Sequence, residues 1–161
     1  MPKVIFIMGV SGSGKTHIGE KLAKALKLTY IDADEYHSQR NIEKMSKGIP
    51  LTDSDRLPWL NTLNTIVRKH EETGCIMGCS ALKQNYRNRL ARGLDKKAVW
   101  IYLKGNFDLI YQRMKARKNH FMKPEMLRSQ LETLEEPVDA IQIDIEEASD
   151  LIIQKIKTKL V

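Results

Sequence analysis

The octapeptide Gly9-Val10-Ser11-Gly12-Ser13-Gly14-Lys15-Thr16 sets glycines, an amine and a hydroxyl in the spacing G-x-x-x-x-G-K-[ST]. Glycines let the backbone curl until successive N–H groups point inward, which makes a cradle for phosphate oxygens. A helix that starts at the end of the cradle adds its partial positive charge. In such a loop Lys15 reaches the β- and γ-phosphates and the Thr16 hydroxyl is placed to ligate Mg2+. Gly9, Ser11, Gly12, Ser13, Gly14, Lys15 and Thr16 are therefore the candidate nucleotide-binding residues, with Thr16 also a metal candidate and Lys15 a catalytic one. A chance glycine-rich turn is the competing reading. The context opposes it, because the apolar run Val4–Met8 precedes the loop and a helical pattern starts near Lys15.

A second candidate is the pair Asp32 and Asp34. On an extended segment, residues two apart point the same way. Both carboxylates would then emerge together at the end of a strand, one to hold Mg2+ through water and one to accept a proton from an acceptor hydroxyl. We assign Asp32 to the metal and Asp34 to the proton, although spacing alone does not separate these roles. A helix N-cap followed by a first-turn acid explains the same spacing equally well.

These groups need a frame. Runs at Val4–Met8, 29–31, 75–79, 99–103 and 140–143 are short, apolar and rich in Val, Ile and Tyr, which predicts buried strands. Between them, Ile18, Leu22 and Ala25 share one helical face, as do Leu60, Leu63 and Val67, then Phe107, Ile110 and Met114. Ala148, Ile152, Ile156 and Leu160 mark a last amphipathic helix. The alternation predicts a parallel sheet with helices on both faces. Segments 38–55 and 117–124 fit the sheet poorly and read as excursions beyond the carboxyl ends of the strands, where such sheets bind ligands.

Composition narrows the function. A chain of 161 residues suits one domain, expected to span 1–161. No apolar run approaches the roughly 20 residues of a membrane helix, and the short apolar start leads into the glycine loop rather than a cleavage site. Cys75 and Cys79 form neither a metal spacing nor a disulfide framework, which predicts reduced thiols in a cytoplasmic protein. The net charge of +7 is spread along the chain, and aromatics, at 6%, do not interleave with a basic stripe, so no nucleic-acid partner is expected. There is no guanine-reading N/T-K-x-D segment, and run 75–79 ends in Ser80 rather than an acid. A small-metabolite kinase is favoured over a GTPase switch or a motor ATPase.

The acceptor-side motifs are more specific than the loop. Asp34-Glu35-Tyr36-His37, then Asn41-Ile42-Glu43-Lys44-Met45, Gly48-Ile49-Pro50-Leu51-Thr52-Asp53 and Asp55-Arg56-Leu57-Pro58-Trp59-Leu60, closely resemble the gluconate kinase family. So do Cys79-Ser80-Ala81-Leu82-Lys83, Tyr86-Arg87 with Leu90, Ile101-Tyr102-Leu103-Lys104-Gly105, Ala116-Arg117, His120-Phe121, and Leu131 through Pro137. The likeness spans nearly the whole chain, and the wider relatives are shikimate kinases. It implies an α/β, three-layer phosphate-loop kinase fold with a five-stranded parallel sheet and helices on both faces. It also implies transfer from ATP, with Mg2+, to the terminal hydroxyl of D-gluconate, and commonly a homodimer. Three residues depart from the family pattern: Ser38, where proline often stands; Asn88, where aspartate does; and Gly78, in place of a small or branched residue.

Gluconate offers a carboxylate, and a planar Arg fork reads one bidentately. Arg56 and Arg87 are the candidates for that contact, with Lys83 and His37 as shorter-range donors in an acceptor segment of about 37–60. Each has a plainer reading: a capping ion pair for Arg56, a solvated helix face over 83–90 for Arg87, a structural histidine for His37. Trp59 is expected to pack a helix over 56–72 on the core, and Cys79 to be an inert buried thiol. The basic stretch Arg113, Lys115, Arg117, Lys118 and His120 reads as a lid over about 113–125, with Arg117, and less firmly Arg113, closing on the γ-phosphate and His120 facing the acceptor. An exposed basic helix end is the alternative. Pro137 falls where related kinases receive adenine. Another kinase of the same fold, of the shikimate type, and a non-enzymatic nucleotide-binding switch are the rival functions.

Overall fold

A computed structural model of the chain describes residues 4–116 and 123–161. The central strand β1 (Val4–Met8) is buried along its whole length. Its side chains alternate: Ile5 and Ile7 enter one core, Val4, Phe6 and Met8 the other. That two-sided burial explains why the run is continuously apolar rather than alternating. Each such side chain contributes about 1.5–3 kcal/mol on burial. The other strands are β2 (Thr29–Asp32), β3 (Cys75–Gly78), β4 (Ala98–Lys104) and β5 (Ile141–Asp144). All pair in parallel in the order β2-β3-β1-β4-β5. The five expected strands are all present, with ends moved by a residue.

Helices α1 (Lys15–Leu26), α5 (Phe107–Lys115), α6 (Pro124–Thr133) and α7 (Ser149–Leu160) cover one face through Leu22, Ile110, Leu127 and Ile156. Helices α3 (Asp53–Lys69) and α4 (Gln84–Leu90) cover the other through Trp59, Leu63, Tyr86 and Leu90. The strands β1 and β3 are neighbours, yet the chain leaves β1 for the first face and β3 for the second. A crevice opens between such strands at their carboxyl ends.

Segment 38–55, read as an excursion beyond the strands, contains helix α2 (Gln39–Ser46), capped by the Ser38 hydroxyl, which accepts from the Asn41 N–H at 3.1 Å. One boundary is corrected. Helix α3 starts three residues before the expected Arg56, because Thr52 and Asp55 form a reciprocal capping box.

Candidate functional site

The glycine loop runs from the end of β1 to the first turn of α1. Gly9, Gly12 and Gly14 all have positive φ, the conformations that the motif spacing requires. Gly14 caps α1 with no side-chain acceptor, and no acid lies in the first turn. The helix therefore presents its N-terminal N–H groups and an uncompensated dipole to an anion. Lys15 Nζ donates to the carbonyls of Gly9 (2.9 Å) and Val10 (3.1 Å), which holds the ammonium at the mouth of the loop. Ser13 is buried, and its hydroxyl has no partner among the described residues.

Register places the carboxylates. Asp32 pairs with Gly78 across β2 and β3, and Gly78 pairs with Ile7 across β3 and β1. Only a residue without a side chain separates Asp32 from the strand that feeds the loop. Asp32 ends β2 and caps a 3-10 turn over Ala33–Tyr36, its carboxylate accepting from the Asp34 N–H at 3.0 Å. Asp34 is in the turn, not on an extended segment, so the parallel-pointing argument fails and the capping reading holds. Both carboxylates nevertheless line one cleft of about 810 Å³ with Lys15 and Thr16. Capping and cleft-lining coexist in Asp32.

The opposite wall of this cleft is the end of α2, from Met45 to Gly48, and Lys123 and Met126 of α6 border it. Tyr30 lies on its floor. Burial pushes the Tyr30 hydroxyl up to about 12, so it stays protonated, and it shares a hydrogen bond with the Thr16 side chain. The ring crowds the positions that a Cβ would take at Gly19 and Gly78, which accounts for the unusual glycine before Cys79. Cys79 is enclosed, and burial pushes its thiol up to about 12, so it is no nucleophile at neutral pH.

The acceptor-side residues form a chain of neighbours beside the cleft rather than part of its lining. Burial lowers the His37 pKa; the charge of Asp34 opposes that and the charge of Arg56 adds to it, so both charges act on the ring. Its ring stacks on Trp59 at 4.1 Å, and its Nδ1 lies 3.3 Å from the buried Asn41 amide. Arg56 donates to the Leu51 carbonyl (2.6 Å) and the Tyr86 hydroxyl (3.1 Å), with its guanidinium over the Tyr86 ring. It is not the capping ion pair, because Asp55 is held by Lys44 at 2.8 Å and is pulled down to about 2. The Tyr86 hydroxyl donates to Asp53 at 2.6 Å and lowers that carboxyl; Lys83 stands 3.9 Å from the same oxygen.

Three further expected site residues are placed outside the cleft lining. Arg87 is 3% exposed and donates to the carbonyls of Ala81 (2.7 Å) and Glu135 (2.7 Å) and to Gln84 Oε1 (3.2 Å). A guanidinium so enclosed ties the chain at Ala81, Gln84 and Glu135 together. Arg113 donates to the Ile145 carbonyl at 2.6 Å and does not line the cleft. Pro137 sits half-buried between α6 and β5, also outside the cleft lining. Arg117 and His120 lie outside the described residues.

Sequence reasoning missed two contributors. Trp59 does pack on the core, at 6% exposure, but its indole N–H also donates to the Ala33 carbonyl at 2.8 Å and so pins the turn between the two carboxylates. Gln130 of α6 grips Ser11 of the loop. Trp59 sits in an acceptor-side motif but its partner lies 26 positions away, and Gln130 lies outside every motif and acts across 119 positions.

The arrangement suits phosphoryl transfer: an anion cradle, a fixed cation, two carboxylates and a cation-bearing acceptor wall. Comparison with known proteins agrees. The model of the shikimate kinase family matches residues 11–160. The thermoresistant gluconokinase of Escherichia coli (strain K12) is 45% identical over 150 residues, covering 89% of this chain and 85% of that one. The crystal structure of a gluconokinase from Sinorhizobium meliloti 1021 superposes with a TM-score of 0.86 at 38% identity, covering 96% of this chain and 89% of that one. A shikimate kinase from Bacteroides thetaiotaomicron superposes at 0.72 with 16% identity, covering 98% of this chain and 97% of that one, which is likeness of fold alone. The chain is a kinase that belongs to the shikimate kinase family as that model draws it, and within it to the gluconokinases.

Proposed function

We propose that this chain transfers the γ-phosphoryl group of ATP to the terminal hydroxyl of D-gluconate, giving 6-phospho-D-gluconate and ADP. The observation that carries the reading is the cleft lined by Lys15, Thr16, Asp32 and Asp34, with His37, on which the charges of Asp34 and Arg56 both act, beside it. Phosphate charge and a hydroxyl-bearing acid can meet there. Lys15 and the loop N–H groups hold the β- and γ-phosphates. Asp34 aligns the acceptor hydroxyl and takes its proton as the oxygen attacks in line. Arg56 receives the carboxylate of gluconate, with Lys83 and His37 as further donors. Arg117, with Arg113 after release from Ile145, would close a lid over about 113–125, and His120 would face the acceptor.

Among the described residues, no three His, Cys, Asp or Glu side chains gather to hold an ion. That suits Mg2+, which arrives on nucleotide phosphates and needs only one or two protein ligands. Thr16 and Asp32 are the residues that would hold it, and when bound it supplies charge neutralisation at the β- and γ-oxygens. Among the described residues no helix is long and apolar enough to cross a membrane. A cytoplasmic homodimer is part of the same proposal, supported by the family likeness.

The test measures ADP release from ATP and Mg2+ with gluconate, with shikimate, and with neither. Release that depends on gluconate is expected. Equal release with shikimate, or none beyond background, overturns the assignment.

A further inference from the structure

The loop is gripped from two helices, and one grip is polar. Gln130 Oε1 accepts from the Ser11 N–H at 2.8 Å, and Gln130 Nε2 donates to Ser11 Oγ at 3.1 Å. A primary amide is the side-chain group that presents one acceptor and one donor side by side, so it can close this ring on a single residue. Two bonds to one residue fix both its backbone and its χ1. The neighbouring Gly12 is wedged against α5: a Cβ there would meet Met114 Cγ at 2.6 Å and Ile110 Cγ2 at 3.1 Å. The crest of the phosphate loop therefore rests on α5 by packing and on α6 by hydrogen bonds. Along α6, Gln130 follows Met126 by four residues, and Met126 follows the N-cap Lys123 by three. That spacing puts all three on one side of the helix. Met126 and Lys123 border the cleft.

We propose that Gln130 is a positioning residue for nucleotide. It acts through Ser11, holding the loop in its phosphate-receiving shape and holding α6 at a fixed distance from the phosphates. Without the clamp, the loop has to be ordered when nucleotide arrives, and that ordering is subtracted from affinity. The proposal rests on the loop binding nucleotide and not on which hydroxyl is phosphorylated.

The experiment is calorimetric titration of the whole chain with Mg2+ and ADP, without acceptor, beside the melting temperature of each variant. Gln130→Met keeps length and removes both hydrogen bonds. It should weaken ADP binding about tenfold, the worth of two neutral hydrogen bonds. Ser11→Ala removes one bond and should weaken binding about threefold. The double variant should bind like Gln130→Met alone, since its Ser11 Oγ bond is already lost. Gln130→Glu keeps an acceptor for the N–H, and the Ser11 hydroxyl can turn to donate to the second oxygen. This variant guards against a Met variant that does not fold, and its added negative charge should weaken ADP binding more at low salt than at high. The proposal is overturned if Gln130→Met melts lower but binds ADP like wild type, if Ser11→Ala and Gln130→Met weaken binding additively, or if Gln130→Glu, which keeps the clamp, still binds ADP much more weakly than wild type at high salt, where its added charge is screened. Failure of the wild-type chain to bind ADP would instead break the functional reading.

Discussion

The phosphate side and the acceptor side of this cleft are built in different ways. The phosphate side is backbone: three glycines with positive φ, the first turn of α1, and a lysine held by two loop carbonyls. The acceptor side is side chain on side chain, as Asp34, His37, Arg56, Tyr86, Asp53 and Lys83 each lean on the next. A backbone device is written in a few contiguous residues and tolerates little change. A side-chain device draws on three elements, here the 3-10 turn, α3 and α4, and can be retuned for another acceptor without disturbing the first. A fold shared with shikimate kinases at 16% identity and a closer likeness to gluconokinases at 38% fit that division.

The largest separation should come from Lys15→Ala. Loss of a preorganised charge at the phosphates costs about 10²–10³ in kcat, and the acceptor wall should keep its structure. Turnover within tenfold of wild type would remove the loop from catalysis. Next is Asp34→Asn, which keeps shape and removes the proton acceptor. It should lower kcat by about two decades or more, with ADP affinity nearly unchanged. Asp32→Asn should instead raise the Mg2+ concentration needed for half-maximal rate. The reverse pattern in a kinetic titration swaps the two roles. Smaller again is Arg56→Ala, which loses a charge-assisted contact worth about 1.5–3 kcal/mol. The KM for gluconate should rise by roughly one to two decades while that for ATP stays put. Equal rises in both would mean that Arg56 serves the frame, through Leu51 and Tyr86, rather than the acceptor.

Much of this division was legible in the sequence. The loop could be read because its chemistry lies in eight consecutive residues, and the strands because two-sided burial leaves continuous apolar runs. The failures share a cause. Arg87 belongs to a motif, but nothing local says that Ala81 and Glu135 enclose it. Asp32 and Asp34 were assigned an extended backbone, and a cap turned the second into a 3-10 turn. Thr52 and Asp55 stand in the spacing of a capping box, yet the helix is expected only from Arg56, three residues after its true start. Gln130 meets Ser11 across 119 positions. Long-range partners choose among local options, and a single sequence shows only the options.

Gly78 and Tyr30 sit on the seam between the two sides, and they predict an effect in stability rather than rate. Gly78→Ala would drive a methyl into the Tyr30 hydroxyl, with Cζ at 3.1 Å behind it. Overpacking of this kind costs about 1–3 kcal/mol. Tyr30→Phe removes the clashing oxygen, so Gly78→Ala should cost less in that background, by denaturant titration of all four proteins. Additive losses would mean that the crowding is relieved elsewhere. Tyr30→Phe alone also removes a partner of Thr16, which makes it the control for any change in Mg2+ dependence.

The smallest effect is the most local test of the acceptor side. Burial holds the His37 pKa below its ordinary 6.5, with the carboxylate of Asp34 opposing and the guanidinium of Arg56 assisting. In the unfolded chain His37 binds its proton at the ordinary value; in the folded chain it binds it only at lower pH. Between those values the unfolded state carries more protons, so stability rises with pH there. The contribution of a neutral His37 is thus complete above pH 6.5 and is lost as pH falls below 6.5 toward the folded value. His37→Phe keeps a ring to stack on Trp59 and cannot titrate, so its stability should vary less with pH than wild type between pH 7 and pH 5. An NMR titration of the His37 ring then examines the neighbours one at a time. Asp34→Asn should move its pKa further down, and Arg56→Ala should move it up. Opposite signs from those two substitutions would place a carboxylate and a guanidinium on the same imidazole, the arrangement an acceptor wall needs to receive a hydroxyl and a carboxylate from one small molecule. A pKa that ignores both would mean that His37 is only a stacked ring on Trp59, and the acceptor chain would break at its second member.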